Sequence, residues 1–393
     1  MAYSVYVHIP FCKHRCHYCD FNTYVGKETS IPGYVNAINK ELRIASTYLS
    51  DYPLNSVYFG GGTPSLLSVS HYQDLLEAIN AYFSVSPQCE ISMEANPGTI
   101  SFEYLCHIKA LGINRLSLGV QSTDAFDLTR LDRSHTIDDV LDGVLLARRA
   151  GFENINLDLI FNLPWQTLSS WEHSLSRALA LKPEHFSLYS LIIEKGTPLY
   201  NWHQRGMVEF QNEDLEAEMY ELAMIMLKDA GYVHYEISNW AIKNSKQDFR
   251  CIHNLQYWLN LPYLGIGAGA HGYVGNIRTE NVHRIEAYIS RVCNYDELFL
   301  RYPETPATWH TSEVDLPTQM KDFMWLGLRL VNEGVSVDRF FQTYGLPMFE
   351  VFRVEIMELI NLGLVRWVDE NNQRLKLTHR GVMLANQVFM RFV

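Results

Sequence analysis

The strongest constraint on the fold is a regular alternation of predicted strands and helices over the first 230 residues. Short runs rich in β-branched and aromatic residues predict six strands, at 4–9, 56–59, 90–94, 115–120, 154–161 and 186–193. Segments with 3.6-residue apolar periodicity separate them and predict helices. Strands separated by helices cannot pair as hairpins, so the sheet should be mainly parallel with helical crossovers. An incomplete barrel and an open doubly wound sheet both fit this pattern, which does not separate them.

The alternation stops after residue 232. Residues 233–315 are rich in aromatic residues and glycine, and we expect an irregular connecting region. From residue 316 the pattern predicts three helices at 320–331, 338–344 and 348–362, then two strands at 364–368 and 375–377 joined by a polar turn at 369–372. This order resembles a winged-helix unit. The chain should therefore have three parts, 1–232, 233–315 and 316–393.

Three cysteines lie within eight residues, Cys12, Cys16 and Cys19, in the pattern C-x3-C-x2-C. Zinc sites usually combine two C-x2-C halves into four ligands, and the four later cysteines form no second half. An iron–sulfur cluster usually takes four cysteine ligands, so a triplet would leave one iron open to another ligand. The spacing favours such a cluster over a structural zinc site or buried free thiols.

Composition narrows the class of protein. The formal net charge of -12 argues against broad nucleic-acid binding, which normally leaves a basic footprint. There is no secretory signal pattern and no apolar run long enough to span a membrane. We expect a reducing, cytoplasmic compartment, where clustered cysteines bind metal more often than they form disulfides. Peripheral contact with a membrane surface stays open.

A glycine triplet, G-G-G-T-P at 60–64, follows the second predicted strand. Glycines there would let a ligand approach the backbone and would leave N–H groups free to bind it, although a tight turn is the simpler interpretation. Polar residues also occur in or after later strands, at Glu94, Gln121, Arg133 and Asp158. Asp158 carries the most weight, because a carboxylate inside an apolar strand needs a partner.

These motifs together resemble the radical S-adenosylmethionine (SAM) family, whose motif is C-x3-C-x2-C. The resemblance implies an incomplete (β/α)6 TIM-like barrel with a C-terminal winged-helix-like accessory domain. It also implies that Cys12, Cys16 and Cys19 hold a [4Fe–4S] cluster whose open iron is chelated by the amino and carboxylate groups of SAM. Electron transfer from the cluster would then cleave SAM to a 5′-deoxyadenosyl radical.

Within that family the sequence resembles the branch of the oxygen-independent coproporphyrinogen III oxidases. In this branch, matching positions lie near the cluster or recognise the methionine, ribose and adenine of SAM. The resemblance carries this role to Tyr6, Tyr18, Gly61, Gly62, Thr63, Glu94, Gln121, Arg133 and Asp158. Two residues depart from the usual segment after Asp158, where glycines are replaced by Asn162 and Trp165. Asn tolerates a left-handed backbone, whereas Trp165 is bulkier and could alter what fits nearby.

The branch contains dehydrogenases of coproporphyrinogen III and HemW-type haem chaperones. Three features favour the chaperones: Phe21 stands where the dehydrogenases have a further cysteine, only eleven residues precede Cys12, and 253–258 reads H-N-x-x-Y-W. This resemblance implies haem binding and delivery of haem to apoproteins such as respiratory enzymes. Radical decarboxylation of coproporphyrinogen III is the alternative activity. A winged-helix regulator that uses the cluster as a sensor is a third hypothesis.

His253 is the candidate haem ligand, because imidazole binds haem iron and Tyr257 and Trp258 offer flat apolar surface. Cys251 and His271 are alternative ligands. The segment could instead be an aromatic loop packed on the barrel, with His253 only hydrogen-bonded. An electron donor to the cluster and a homodimer are further partners that the sequence leaves open.

Overall fold

The computed structural model describes residues 2–49, 52–209, 212–295, 301–368 and 373–393. The strands are β1 (Tyr3–Ile9), β2 (Phe11–Cys12), β3 (Tyr24–Val25), β4 (Leu54–Gly61), β5 (Val85–Ala95), β6 (Arg115–Gln121), β7 (Ile155–Phe161), β8 (His185–Ser190), β9 (Val233–Glu236), β10 (Asn239–Ala241), β11 (Tyr263–Ile266), β12 (His271–Val274), β13 (Ile277–Asn281), β14 (Thr308–Glu313), β15 (Val335–Ser336), β16 (Val365–Trp367) and β17 (Arg374–Leu377).

The helices are α1 (Ile31–Ala45), α2 (Val69–Tyr82), α3 (Phe102–Ala110), α4 (Ala125–Arg130), α5 (Ile137–Arg149), α6 (Leu168–Ala180), α7 (Pro198–Gln204), α8 (Glu213–Asp229), α9 (Ile252–Trp258), α10 (Ile285–Cys293), α11 (Leu316–Leu328), α12 (Val337–Tyr344), α13 (Met348–Val351), α14 (Arg353–Asn361), α15 (His379–Met383) and α16 (Ala385–Phe389). Three short 3-10 turns occur at Glu28–Ser30, Ser46–Tyr48 and Pro64–Leu66.

The main sheet has twelve strands in the order β14-β13-β12-β11-β1-β4-β5-β6-β7-β8-β10-β9. Strands β1, β4, β5, β6, β7 and β8 are adjacent in chain order, and each pairs in parallel with the next. Because parallel crossovers share one hand, a sequential order places the helices on one face, whereas a doubly wound sheet reverses its order midway. The fold is therefore the predicted incomplete barrel, and its end strands β14 and β9 do not pair with each other among the described residues.

The two faces of the parallel strands differ in polarity. Outward residues such as Val57, Phe59 and Met93 are fully buried against the helices. The register brings four inward residues into one row across the sheet: Tyr6, Tyr58, Ser92 and Arg115. Side chains of a strand alternate between faces, so the inner face also carries Glu94, Ser117 and Asp158. Such a concave polar face suits a polar ligand rather than an apolar core.

The segment 233–315 is more regular than its sequence predicts. It contains β9 to β14, and β11 pairs in parallel with β1 while β12, β13 and β14 continue the sheet in antiparallel fashion. The glycines that predict loops serve close strand packing here. A Cβ atom on Gly265 would lie 1.9 Å from the His271 carbonyl oxygen, and one on Gly272 would lie 2.7 Å from Thr279 Oγ1.

The C-terminal part has the predicted helices followed by the predicted hairpin, but the third predicted helix, 348–362, is split at Phe352 into α13 and α14, and α15 and α16 were not predicted. Strands β16 and β17 form the hairpin, and β15 adds a third antiparallel strand that the sequence did not predict. The predicted turn at 369–372 lies outside the described residues. A separate hydrophobic core that includes Met324, Phe340 and Ile356 holds this part together. In the described part of the chain, no helix is both long and apolar enough to cross a membrane.

Candidate cofactor site

The three clustered cysteines lie at the mouth of one cavity of about 430 Å³. Cys12 ends β2 and is buried, whereas Cys16 and Cys19 are half-buried in a turn closed by a hydrogen bond from Cys19 N to Cys16 O (3.2 Å). Burial raises the pKa of the Cys12 and Cys19 thiols. A bound metal would oppose that shift, because a coordinating thiol is deprotonated.

Two donors reach the cysteine sulfurs. Thr63 Oγ1 donates to Cys12 Sγ (3.6 Å), and Arg133 Nη1 donates to Cys16 Sγ (3.4 Å). Within the described ranges, no three His, Cys, Asp or Glu side chains surround a single metal position. Three thiolates at this spacing suit a cluster in which each one binds a different iron, and hydrogen bonds to the sulfurs tune such clusters. The donor set therefore fits the implied [4Fe–4S] cluster better than a mononuclear zinc ion.

The glycine triplet positions the backbone beside the cysteine loop. Gly61 has φ +113°, and a Cβ atom on it would lie 2.4 Å from the His8 ring. Its N–H donates to Glu94 Oε2 (3.0 Å), while Gly62 N and Thr63 N donate to the carbonyls of Ile9 and Phe11. The expectation of free N–H groups at this triplet is therefore wrong. The glycines are needed for close approach, because the backbone donors fasten β4 to the cysteine loop.

Two half-buried carboxylates face the cavity from β5 and β7, the strands on either side of β6. Glu94, at the end of β5, accepts from the Tyr58 hydroxyl (2.9 Å), and burial together with the charge of Asp158 raises its pKa to about 7. Asp158 on β7 accepts from Ser117 Oγ (3.0 Å) and Asn156 Nδ2 (2.7 Å), and burial raises its pKa. Ser117 and Asn156 thus supply the hydrogen-bond partners that the sequence predicted for Asp158.

Arg133 lines the cavity and connects the cysteine loop to residues at the ends of β5 and β6. Its Nη2 donates to Asn96 Oδ1 (2.6 Å) and to the carbonyl of Gly119 (2.6 Å). Gln121 lines the same cavity at the end of β6 with φ 63°, and Tyr18 lies beside Arg133, where burial raises the pKa of its hydroxyl. The structure therefore brings together eleven of the predicted residues: Cys12, Cys16, Cys19, Tyr18, Gly61, Gly62, Thr63, Glu94, Gln121, Arg133 and Asp158.

Tyr6 is not among the residues that line the cavity. Its hydroxyl is hydrogen-bonded to His8 Nδ1 (3.0 Å), and its ring stacks on Tyr58 at a centroid distance of 6.3 Å. Its proposed contact with SAM stays a prediction. Asn96 is a cavity residue that was not predicted from the sequence, and it joins Thr63 Oγ1 to Arg133. The signal was available, because Asn96 lies two residues after Glu94 and so on the same face.

His253 lies below the cavity, near the amino-terminal ends of the parallel strands. It is 2% exposed, with Nδ1 hydrogen-bonded to Ser56 Oγ (2.9 Å) and Nε2 to Tyr257 Oη (2.8 Å). Burial, and then the charge of Arg115, lowers the pKa of His253 to about 3. The imidazole is therefore neutral and engaged at both nitrogens, so a bond to haem iron requires one of these contacts to open.

The alternative haem ligands lie in different surroundings. Cys251 is fully buried, and burial raises the pKa of its thiol to about 12. His271 on β12 is exposed. Of the two departures after Asp158, Asn162 does adopt the left-handed backbone, with φ 61°. Trp165 instead donates its Nε1 hydrogen bond to Asp127 (2.9 Å) and does not line the cavity.

Three cysteines and a polar concave sheet of sequential parallel strands define a radical SAM protein. Residues 6–178 match the model of the radical SAM superfamily, and residues 314–384 match that of the HemN C-terminal domain. Coproporphyrinogen III oxidase (HemN) from Escherichia coli has a similar fold, with a TM-score of 0.82 and 23% identity over 100% of this chain and 90% of that one.

Full-length relatives identify the family more closely. The chain is 41% identical to the heme chaperone HemW of Bacillus subtilis over 99% of both chains. It is 36% identical to the heme chaperone HemW of Lactococcus lactis over 99% of this chain and 97% of that one. It is 34% identical to the heme chaperone HemW of Mycobacterium tuberculosis over 98% of this chain and 93% of that one. The chain belongs to the HemW family of radical SAM proteins.

Proposed function

We propose that this protein is a haem chaperone that binds a [4Fe–4S] cluster, SAM and haem and passes haem to apoproteins such as respiratory haem enzymes. The observation that carries this proposal is the full-length similarity to heme chaperones HemW. Phe21 supports it, because this position carries no cysteine in the chain and its ring is 62% exposed at the cavity mouth. The competing activity, decarboxylation of coproporphyrinogen III, rests on the similarity to HemN, which at 23% identity shows the fold alone.

Different residues of the cavity would bind the cluster and the separate parts of SAM. Cys12, Cys16 and Cys19 would hold the cluster, whose open iron offers a site for the amino acid part of SAM. Glu94 would accept from the ammonium group of SAM once it is ionised. Asp158 would accept from the ribose hydroxyls. Arg133 would keep a positive charge beside the cluster sulfur of Cys16, to which it already donates.

The mouth of the cavity offers contacts to a flat apolar molecule. Phe21 and Ile192 both line it and are 62% and 69% exposed. Exposed apolar groups at a cavity rim mark binding surfaces more often than isolated surface residues do. Arg15, also exposed at this rim, offers a cation to an acidic substituent. Haem combines an apolar ring with two propionates, which matches this combination of groups.

The decisive experiment is a haem titration of the anaerobically reconstituted protein with and without SAM. We expect saturable haem binding and transfer of that haem to an apo-cytochrome, followed by absorption spectroscopy. Failure to bind haem, together with conversion of coproporphyrinogen III, would establish the dehydrogenase instead. The Cys16→Ala variant should lose the cluster absorption while keeping its far-ultraviolet circular dichroism. A retained cluster spectrum would refute the ligand assignment.

A test of the haem ligand needs a control variant for the loss of any buried histidine. His253 does not line the cavity, so it would ligate haem beside α9 and not at the cavity rim, and His253→Ala should then change the haem absorption spectrum or weaken haem binding at least tenfold. His185→Ala is the matched control, because His185 is also fully buried and hydrogen-bonded at both ring nitrogens, to Asn156 and Tyr235. An unchanged spectrum in His253→Ala, with a changed one in His271→Ala or Cys251→Ala, would move the assignment to that residue.

The remaining partners are parts of the same proposal. An electron donor to the cluster, a homodimer and action in the cytoplasm or at a membrane surface accompany the chaperone function in this proposal. Sedimentation velocity of the protein with and without haem tests the dimer. Flotation with liposomes tests the contact with a membrane surface.

A further inference from the structure

The floor of the cavity contains an arginine with two guanidinium nitrogens that lack a hydrogen-bond partner among the described residues. Arg115, the first residue of β6, is 1% exposed and lines the cavity from the inner face of the sheet. Its Nε and Nη1 atoms are buried and have no hydrogen-bond partner among the residues that the structure describes. None of the SAM or cluster assignments uses this residue.

The carboxylates whose charges act on Arg115 are bonded to other groups. Glu90 accepts from two backbone N–H groups at the start of α9. Glu94 accepts from a tyrosine hydroxyl and a backbone N–H, and Asp158 accepts from a serine and an asparagine. Each acid therefore has partners of its own, and Arg115 is attracted by these charges while its Nε and Nη1 atoms stay without a hydrogen bond among the described residues.

Asn254 supplies a second polar group at the same floor. It belongs to α9, lines the cavity, and its side chain makes no hydrogen bond to the described residues. Asn156 and Ser187 complete the floor and are hydrogen-bonded to each other, with Ser187 Oγ donating to Asn156 Oδ1 (3.2 Å). The H-N-x-x-Y-W segment thus reaches the cavity through Asn254, whereas His253 faces away from it.

We propose that Arg115 and Asn254 bind a carboxylate group of an organic acid at the floor of the cavity, separately from SAM. A buried cation without a paired anion is costly, and a carboxylate supplies both the charge and the acceptor oxygens that Arg115 lacks. Arginine suits this role because it stays charged when buried. The asparagine amide adds a neutral donor. The ligand is a small carboxylic acid, or a larger molecule with a carboxylate arm narrow enough to pass the cluster.

The test uses the reconstituted protein and [14C]propionate in equilibrium dialysis, with sodium chloride at matched ionic strength. We expect one saturable propionate per chain and a rise in the melting temperature that saturates with it. Arg115→Met should abolish both effects. Arg148→Met is the control and should leave them intact, because Arg148 is paired with Glu184 outside the cavity. The absence of saturable binding to the wild type would overturn the proposal.

One more variant and two competing ligands test whether the binding is specific for a carboxylate at this floor. Asn254→Ala removes a floor side chain without touching a charge and should weaken propionate binding at least fivefold, so the proposal does not depend on Arg115→Met folding. Saturating SAM should leave propionate bound, and displacement by SAM would show that Arg115 belongs to the SAM site instead. Equal binding of inorganic phosphate would refute the assignment to a carboxylate. None of these readouts depends on haem, so they stand apart from the chaperone function.

Discussion

Glu94 is a side chain whose ionisation lowers the stability of the folded protein and allows it to bind a cationic ligand. Its pKa of about 7 means that the folded state holds its proton more tightly than an unfolded chain does. The free energy of unfolding therefore falls as the pH rises from about 4.5 towards 7, because over this range the carboxyl group is ionised in the unfolded chain but still protonated in the folded protein. The ionised form is the one that accepts from a cationic ligand, so a bound ammonium group would recover the lost energy.

The affinity for SAM should consequently depend on pH. Below pH 7 most Glu94 is protonated, and we expect the dissociation constant for SAM to rise up to about tenfold per pH unit. Calorimetric titrations at pH 6, 7 and 8 measure this. Glu94→Gln should bind SAM weakly at every pH. Glu184→Gln, outside the cavity, should keep the wild-type dependence. A wild-type affinity that does not change with pH would contradict the role given to Glu94.

A comparison of Gly61 with Gly112 separates the cost of backbone strain from the cost of a steric clash. Both have positive φ, +113° and +111°, but only Gly61 has atoms within 4 Å of an added Cβ, the ring of His8. Gly112→Ala should cost about 1–2 kcal/mol of unfolding free energy from the left-handed backbone alone. Gly61→Ala should cost more and should also weaken SAM binding. Urea denaturation and SAM titration measure the two effects, and equal costs would argue against the close packing of His8.

At the scale of elements, α9 is held by a residue far away in sequence. Its N-cap residue, Cys251, provides no side-chain cap, and Glu90 on β5 accepts from the N–H groups of Ile252 and His253 instead. Helix termini need such acceptors, and an acidic group also favours the positive end of the helix. The H-N-x-x-Y-W segment is thereby fixed to the barrel floor by a strand residue.

Replacing Glu90 should release this helix. Hydrogen bonds to a charged group contribute about 1.5–3 kcal/mol, so Glu90→Gln should lower the unfolding free energy by about that amount. Glu280→Gln is the comparison, because Glu280 pairs with His283 near the surface and such pairs contribute about 1 kcal/mol or less. Urea denaturation of both variants measures the difference. Equal losses would mean that Glu90 does not anchor α9.

The sequence predicted the elements that repeat and missed those set by tertiary contacts. The alternation up to residue 230 predicted the six parallel strands, because apolar periodicity is a local signal. The strands between residues 233 and 315 were missed, since glycines such as Gly265 are typical of loops while the sheet uses them for close approach. Spacing likewise indicated the cysteine cluster. The unpaired state of Arg115 depends on where three distant carboxylates find other partners, which no local pattern encodes.

At the scale of the whole molecule, two hydrophobic cores meet through arginines. Arg329, from the end of α11, lies over the ring of Trp258 at 4.2 Å and near Glu236 at 3.9 Å. Arg278 on β13 donates to Asp322 on α11 (2.6 Å). These contacts place the C-terminal part against α9 and the edge of the sheet. The three domain boundaries predicted from the sequence stay a prediction, because strand contacts continue across residue 232.

The C-terminal part should not bind nucleic acid despite its winged-helix-like order. A net charge of -12 repels phosphate backbones, and nucleic-acid affinity depends chiefly on neutralising them. We expect no binding of a labelled DNA duplex at 150 mM salt by fluorescence anisotropy, and at most weak binding, sensitive to salt, at 20 mM. Tight binding at physiological salt would revive the hypothesis of a regulator that senses through its cluster.

The position of α9 has a kinetic consequence. Helix α9 lies against β1 and β4 at the floor, while the exposed lining residues, such as Phe21 and Ile192, lie on the cysteine side. Ligands that enter the cavity from this side would then leave it in the reverse order of their binding. A molecule held at Arg115 must load before SAM and leave after it, so SAM should slow the release of propionate without changing how much is bound. The residence time of the deep ligand would be set by the cofactor above it.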